Sequence, residues 1–333
     1  MPNPTSTTET WDAAWTLTMR KNRGRFSEII FDEYPLLSAL RRRGKVEIED
    51  GGKEFQEDLM YGKNTGSWFD GYDTLPTDAV DGITAAFFPV RYIAVPITIS
   101  FTEEQENKKS DAAQRLLAAK TEQSMLTARD TMNAAIYSAQ SGKSMLGFQD
   151  IIADTPTSGT VGGINRATNT WWRNKSDATS TDADSISSSL SALVVRMTSL
   201  WDEVSEGNES PQFIFTTPTV SQAYRSVLSS TGYARTELNN SASQGVAKTG
   251  GVGEGNSTPF YGAKVIADRD CASGKMYMVN TRFLKLKMLS GVNFTKTAFK
   301  ENANQMAKVG FIVVGCNLTA NNCRRQGVVT TIT

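Results

Sequence analysis

The sequence predicts an α+β fold, because it contains both strand-like and helix-like segments in separate stretches of the chain. Polar and apolar residues alternate from 45 to 49, and a long β-rich run extends from 85 to 100. Between 103 and 140 there is no glycine or proline, and from 186 to 204 the apolar residues fall on one helical face. These patterns predict sheets and at least two substantial helices in one chain.

The composition argues against tight nucleic-acid binding and makes an enzyme less expected without excluding one. Lysine plus arginine equals aspartate plus glutamate at 35 each, a formal charge of zero, whereas phosphate contacts usually come with a basic excess. Histidine, the commonest general base and zinc ligand, is absent. Cys271, Cys316 and Cys323 form no CxxC pair, which favours free thiols. No stretch approaches ~18 consecutive apolar residues, so no membrane segment is expected.

Residues 1–44 predict an extended arm without a core of its own. They begin with a polar stretch and continue with scattered apolar side chains, and Pro35 prevents one long helix. The arginines of this segment could contact nucleic acid or acidic neighbours, and a solvated or intersubunit face fits the pattern at least as well. As candidate contacts between copies of the chain we take Arg20, Arg23, Arg25, Arg41, Arg42 and Arg43.

Residues 45–100 predict a protruding β-hairpin. Strand-like runs flank a polar loop with several glycines and Pro76, which is typical of two long strands joined by an elongated tip. The acidic bias of this hairpin is expected to complement the basic arm of an adjacent copy. A calcium site is the alternative, although the spacing matches no calcium-loop signature. The candidate contact residues of the hairpin are Glu54, Glu57, Asp58, Trp68, Phe69 and Asp73.

A long helix is predicted from about residue 103 to residue 140. Thr102 precedes an acidic first turn, as the helix dipole favours. At 1.5 Å per residue the helix would extend roughly 55 Å. Its apolar residues recur mainly at spacings of three, four or eight and form a narrow, alanine-rich stripe. One face is therefore expected to pack while much of the remainder is solvated.

The second half of the chain predicts a further mixed α/β region. The helix from 186 to 204 is followed by a buried strand at 212–216, and Thr217-Pro218 opens a third helix with proline at its first position. Residues 234–258 are polar and glycine-rich, which is typical of a flexible excursion. Strands are predicted at 260–268, 275–280 and 283–289, with further candidates at 294–299, 307–317 and 326–332.

No motif in the chain predicts a catalytic or cofactor site. Gly142-Lys143-Ser144 is similar to the end of a phosphate-binding loop, but Tyr137 stands where that motif requires its first glycine. The glycines at 250–255 do not complete a dinucleotide-binding fingerprint, since position 256 is asparagine. Trp171-Trp172 is typical of buried anchors beneath a loop. Because no nucleophile with an activating base can be named, we expect neither enzyme activity nor a cofactor.

The order of these segments resembles the major capsid protein of tailed bacteriophages, which has the Hong Kong-97 fold. Arm, long hairpin, long helix, mixed α/β region and returning strands follow one another over about residues 20 to 330. Local stretches strengthen the resemblance, namely Gly163-Ile-Asn-Arg, Trp171-Trp-Arg-Asn, Phe213-Ile-Phe-Thr-Thr-Pro-Thr, Tyr261-Gly-Ala-Lys-Val-Ile-Ala-Asp and Gly274-Lys-Met-Tyr-Met-Val-Asn.

The resemblance implies four structural parts and a function. Subunits of this family assemble as hexamers and pentamers into an icosahedral shell that encloses the double-stranded DNA genome in the virion head. The implied parts are an N-terminal arm at 1–44, an extended loop at 45–100, a peripheral domain with a long spine helix at 101–146 and 291–320, and an axial α/β domain at 147–290 and 321–333.

The resemblance also implies partners. Besides other copies of itself, the chain is expected to meet a portal protein, possible decoration proteins and a separate scaffolding protein, because its arm begins almost at once and leaves no room for a built-in scaffolding segment. Contact with packaged DNA is expected to be weak and non-specific, since the formal charge is zero. Synthesis is expected in the cytoplasm of a bacterial host, with no membrane contact.

Three alternatives stay open from the sequence. An encapsulin-type nanocompartment would use the same fold and bind a short cargo peptide on its inner wall. Another virion protein, such as a tail-tube subunit, would form tubes instead of closed shells. A hydrolase with an unrecognised acid pair would show turnover.

Overall fold

The computed structural model describes residues 34–77, 80–106, 110–177, 190–230, 258–302 and 305–332, and the structural statements that follow concern these residues. Most of the predicted arm and of the predicted excursion at 234–258 lies outside them. The described residues form two six-stranded sheets, two two-stranded pairs and six α-helices. The predicted α+β class is confirmed.

The first sheet is organised around one long strand, β15 (Gln305–Ala320). One edge of β15 pairs antiparallel with β4 (Arg91–Ser100) along the whole length of β4. The other edge pairs successively with shorter strands, so β15 holds this sheet together. The remaining strands are β1 (Val46–Glu49), which lies parallel to β12 (Leu284–Leu289), and then β13 (Thr295–Lys296) and β14 (Lys300–Asn302), which pair with β15 as β12 does.

A long helix packs across strand β4. The chain is helical over α2 (Phe101–Glu106) and α3 (Ser110–Tyr137), and α3 alone extends about 42 Å at 1.5 Å per residue. Ser124 Oγ and Lys120 Nζ of α3 donate hydrogen bonds to carbonyl oxygens of β4, at 3.1 and 2.7 Å. The predicted narrow apolar stripe is confirmed from residue 116 onward, where the buried side chains of α3 are Leu117, Met125, Ala128, Met132, Ile136 and Tyr137 with a few polar neighbours.

The long helix ends at Tyr137, earlier than the predicted end at residue 140, because the chain returns across its carboxyl end. At Gly147 a Cβ atom would lie 1.9 Å from the Ser138 carbonyl oxygen, so only glycine fits this crossing. Gln149 Nε2 donates a hydrogen bond to the Tyr137 carbonyl at 3.0 Å. This bond satisfies one of the carbonyls that the end of a helix leaves unpaired.

Gly147→Ala is expected to lower the free energy of unfolding by about 1–3 kcal/mol, because the added methyl group must displace backbone atoms. Denaturant unfolding of the purified, unassembled chain measures this change. Gly291→Ala is the matched control, since a Cβ there meets nothing within 4 Å. Equal unfolding midpoints for the two variants would show that the crossing is not tight.

The second sheet carries two helices on one face. Its central strands, β8 (Phe213–Thr216) and β11 (Met276–Val279), are buried throughout, as predicted for the first of them. Helices α5 (Leu190–Val204) and α6 (Pro218–Ser230) pack against it through a separate apolar cluster. The predicted proline at the first position of α6 is confirmed. The outer strands are β7 (Lys175–Asp177), β9 (Thr258–Phe260), β10 (Ala263–Ala267) and β16 (Gly327–Val329).

Two predicted strands are interrupted. The prediction of one strand over 260–268 is wrong, because the chain reverses at Tyr261-Gly262, where φ is +44° and +90°, and β9 and β10 pair antiparallel. The strand predicted at 294–299 is only two residues long, β13. Phe294 has a φ of +50° and is therefore not extended.

The predicted hairpin is shorter than 45–100. It consists of β2 (Glu54–Met60) and β3 (Ile83–Pro89), joined by residues 61–82. The flanking segments, β1 and β4, are strands as predicted, but they belong to the first sheet and pair with β12 and β15 instead of with each other. The hairpin is therefore inserted in the chain between β1 and β4, two strands of the first sheet.

The connection after the long helix supports the base of the hairpin. It contains α4 (Phe148–Ile151) and a small pair formed by β5 (Thr160–Val161) and β6 (Ile164–Asn165). Trp172 is buried and its Nε1 donates to the Val161 carbonyl at 3.0 Å, which confirms the predicted anchor for Trp172, whereas Trp171 is only half-buried. Gly162, between β5 and β6, lies against the hairpin, where a Cβ would come within 2.8 Å of the Ala86 side chain.

Candidate assembly surface

The loop between β2 and β3 exposes a cluster of large apolar side chains. Trp68 and Tyr72 are fully exposed, and Phe69 and Leu75 are at least half exposed. We refer to residues 66–75 as the loop tip. Because proteins that act as monomers rarely leave large apolar groups clustered at the surface, the loop tip has the character of an interaction site.

Hydrogen bonds hold the base and the tip of this loop in a defined shape. At its base, the amides of Tyr61 and Gly62 both donate to the Gly82 carbonyl, at 2.8 and 3.2 Å. At the loop tip, the Asp73 amide donates to the Asp70 carbonyl at 3.2 Å, and the Asp70 amide donates to the Asp73 carboxylate at 2.9 Å. A loop already ordered in this way loses less conformational entropy when it binds a partner.

A buried ion cluster joins the hairpin to the first sheet. Lys287 of β12 and Glu57 of β2 are 3% and 6% exposed, and Lys287 Nζ lies 2.8 Å from the Glu57 carboxylate. The same Nζ lies 2.5 Å from the Glu49 carboxylate. Burial works to lower the pKa of Lys287, but the hydrogen bonds to Glu49 and Glu57 outweigh it and leave the pKa raised. The lysine therefore stays charged and ties β2 to β1 and β12.

Two further groups complete this cluster. Lys285 Nζ lies 3.1 Å from Glu47 and 3.6 Å from Glu57. The Thr319 hydroxyl donates to Glu57 at 3.1 Å. With these partners the buried carboxylate of Glu57 is bonded from two strands of the first sheet, which fixes the position from which the loop projects.

The described part of the chain offers little conventional site chemistry. It contains no group of three or more histidine, cysteine, aspartate or glutamate side chains placed to hold a metal ion. Among the described helices, none has the length and apolar character needed to cross a membrane.

The three cysteines are expected to be unreactive in the folded chain. Burial raises the pKa of Cys316 to about 12 and that of Cys323 to about 11, and it raises the pKa of Cys271 as well. At pH 8 the folded chain should therefore react with a maleimide on the order of 100-fold more slowly than the chain unfolded in guanidinium, because only the thiolate attacks. Fast labelling of the folded chain would contradict the burial of these thiols.

Known structures resemble this chain over most of its length, although no family model and no curated protein matches the sequence. The capsid of cyanophage A-1(L) matches with a TM-score of 0.60 and 15% identity, covering 90% of this chain and 92% of that one. The capsid of a native GTA particle matches with a TM-score of 0.57 and 11% identity, covering 89% and 90%. The chain has the fold of phage capsid proteins. Mycobacterium phage Bobi supplies a further match, with a TM-score of 0.50, 9% identity and coverage of 86% and 89%.

This capsid fold exposes most of the contact residues predicted on the hairpin. Glu54 and Asp58 lie on the outer face of β2, and Trp68, Phe69 and Asp73 lie on the loop tip. Their side chains are exposed in the single chain, and their role as contacts between copies stays a prediction.

Glu57 is the exception among the predicted hairpin contacts. It was grouped with the exposed acids, but its carboxylate is buried and bound to Lys287 and Thr319 of its own chain. Strand alternation places Glu57 on the inner face of β2 with Phe55 and Leu59. We therefore correct its assignment from a surface contact to an internal anchor of the hairpin.

The predicted arginines are only partly described. Arg20, Arg23 and Arg25 lie outside the described residues. At the end of α1 (Pro35–Arg42), Arg41 is half-buried and Arg42 is exposed. Arg43 is exposed, but its guanidinium donates to Gln212 Oε1 at 2.6 Å and lies 5.0 Å from the Phe213 ring centre of the same chain.

Sequence reasoning missed an apolar patch on the outer face of the hairpin. Met60, Ile83 and Phe87 are exposed there, and Met60 pairs directly with Ile83 in the strand register. The patch is continuous with the base of the loop. Predicting this patch requires the register of β2 against β3. A connection of 22 residues does not determine that register.

Proposed function

We propose that this chain is the major capsid protein of a tailed phage, and that it assembles as hexamers and pentamers into an icosahedral shell around double-stranded DNA. The observation that carries the proposal is the capsid fold, which matches the cyanophage A-1(L) capsid over nine-tenths of both chains. The exposed apolar loop tip and the patch on the hairpin support self-association, since both surfaces leave apolar area in water in the single chain.

The division into parts follows the same proposal. The long helix α3 serves as the spine helix of a peripheral domain at 101–146 and 291–320, which is supported by its packing on β4 of the first sheet. The axial domain comprises 147–290 and 321–333. A separate apolar cluster on the second sheet, drawn entirely from residues 193–332, supports it as a unit with its own packing. Within the predicted loop at 45–100, the hairpin of β2 and β3 forms the extended loop. Within the predicted arm at 1–44, the arm is the part that precedes α1, since Leu36, Leu37 and Leu40 of α1 are buried in the core.

The proposed partners and location follow from the proposed assembly into a capsid shell. The chain contacts other copies of itself, a portal protein, a separate scaffolding protein and possible decoration proteins in the virion head, after synthesis in the bacterial cytoplasm. Its contact with DNA is weak and non-specific because the formal charge is zero. It works as a structural subunit without a catalytic centre.

Sedimentation of the purified chain tests self-assembly. Produced alone or together with the proteins encoded beside it, the chain should sediment as particles far larger than a hexamer. A chain that stays monomeric under both conditions would overturn the proposal.

Deleting residues 1–25 is expected to impair assembly, because the proposed arm reaches neighbouring copies. It should leave a folded subunit, because the deletion retains Leu36, Leu37 and Leu40, which are buried in the core. Circular dichroism checks the fold and sedimentation checks the particles. Full-sized, stable shells from the truncated chain would show that the arm does not clamp neighbours.

A further inference from the structure

A surface pocket of about 430 Å³ lies beside the base of the hairpin loop. Trp171, Arg173, Lys175 and Arg324 line it, so it combines an aromatic face with three cationic side chains. Tyr61, the first residue of the loop, stacks on Trp171 with ring centres 4.8 Å apart and planes inclined by 11°. We refer to this site as the Trp171 pocket.

Arg173 is the cation of the Trp171 pocket that has no carboxylate partner among the described residues. Lys175 Nζ lies 3.8 Å from Glu203, which also lines the pocket, and Arg324 lies 2.7 Å from Glu206. The guanidinium of Arg173 donates to the backbone carbonyls of Arg166 and Ala167, both at 2.7 Å. Because these acceptors are uncharged, they fix the orientation of Arg173 without neutralising it. The site is therefore prepared to receive an anionic group.

The loop tip has the complementary character. Residues 66–75 contain Trp68, Phe69 and Tyr72 together with Asp70 and Asp73, and they contain no lysine or arginine. The Asp70 carboxylate has no hydrogen bond within the described chain, while its backbone fixes the turn with Asp73. Exposed rings and a free carboxylate on one ordered turn match a pocket that offers an indole face and a fixed guanidinium.

The loop tip does not occupy the pocket of its own chain, since Trp68 and Tyr72 are fully exposed. From the loop base at Gly62 to Asp70 the chain spans at most about 26–29 Å when extended. That reach is sufficient to place the tip on an adjoining subunit. Contacts between two different surfaces of identical chains are head-to-tail, and such contacts close into rings when the rotation permits.

We propose that the loop tip of each copy docks in the Trp171 pocket of a neighbouring copy, with an aromatic ring against Trp171 and Asp70 paired with Arg173. The inference rests on the proposed self-assembly and names the receiving surface for it. Aromatic rings and arginines are the side chains that most often dominate such interfaces. A docked ring also covers the apolar area that the single chain leaves exposed.

Disulfide trapping tests the contact. Ser67→Cys on the loop tip and Thr170→Cys at the pocket should cross-link neighbouring copies in assembled particles, giving a ladder up to covalent rings on a non-reducing gel. The three native cysteines are buried and do not compete. Ser67→Cys with Lys143→Cys is the matched control, since Lys143 is exposed and does not line the pocket.

The outcomes separate the docking from the function. Particles with a ladder specific to the Ser67–Thr170 variant support the docking. Particles without that ladder overturn it and leave the capsid assignment intact. Unsubstituted chain that forms no particles overturns the capsid assignment itself.

Exchanging the charges of Asp70 and Arg173 provides the second test. Recovery in the double variant would show that the loss in the Arg173 variant does not come from a folding defect. Asp70→Arg and Arg173→Glu should each raise the concentration needed for assembly about tenfold or more, and the double variant should recover most of that loss. A double variant no better than either single would contradict direct pairing. If Arg173→Glu spares assembly but reduces the DNA held in particles, the pocket cations serve nucleic acid and the docking is wrong.

Discussion

Lys287→Met is expected to lower the free energy of unfolding by about 3–5 kcal/mol, because it leaves the buried carboxylate of Glu57 without its nearest cation. Lys285 lies 3.6 Å from the same carboxylate and compensates only in part. The substitution also removes the hydrogen bond from Nζ to the Gln56 carbonyl of β2. Denaturant unfolding of the unassembled chain near pH 7 measures the loss.

Two companion variants separate the buried charge from a general effect of substitution on β12. Lys285→Met removes a lysine whose side chain is 23% exposed, and it should cost only about 1 kcal/mol. The double variant Lys287→Met with Glu57→Met removes both buried charges and should recover much of the single-variant loss. If Lys287→Met costs no more than Lys285→Met, the cluster does not anchor the hairpin.

Trp68→Ser combined with Tyr72→Ser is expected to abolish assembly at concentrations at which the unsubstituted chain forms particles. Each fully exposed ring that becomes buried at an interface contributes about 2 kcal/mol or more, and two together correspond to about 1,000-fold in the contact equilibrium. Both rings face solvent in the single chain, so its stability should change by less than about 0.5 kcal/mol. Light scattering and unfolding curves give the two values.

Val195→Ser is the matched control for the loop tip. Val195 is an exposed apolar side chain on α5, outside the hairpin. It should assemble as the unsubstituted chain does. Normal particles from the doubly substituted loop tip would show that its rings are not assembly contacts.

Local periodicity explains which elements could be predicted from the sequence. The buried strand ending at Thr216 and the helix opening at Pro218 depend on neighbouring residues alone, and both were predicted. The pairing of β1 was not, because Val46 pairs with Leu286, far along the chain. No local pattern specifies such a partner, so the flanks of the hairpin were assigned to each other instead of to the first sheet.

The prediction that Glu57 is a surface contact rested on its charge alone and is wrong. The segment Glu54–Met60 alternates strictly, and this places Glu57 on the same face as Phe55 and Leu59. This alternation can be seen in the sequence. The cation that stabilises the buried carboxylate cannot, because Lys287 lies on β12, far along the chain.

The aromatic residues of the loop tip could be named from the sequence, whereas the Trp171 pocket could not. Trp68 and Phe69 lie within a polar loop, where large apolar side chains stand out. The pocket brings Arg173 and Arg324 together from separate segments of the chain. Only the folded arrangement of the second sheet makes them neighbours.

Negative-stain electron microscopy of the purified chain tests the capsid assignment most directly. We expect closed, roughly spherical shells of uniform diameter, and the same preparation should show no hydrolase turnover. Closed shells that enclose a protein cargo through a bound peptide would indicate an encapsulin-type compartment. Open tubes, or single subunits at every concentration and with every protein encoded beside the chain, would contradict a shell-forming capsid protein.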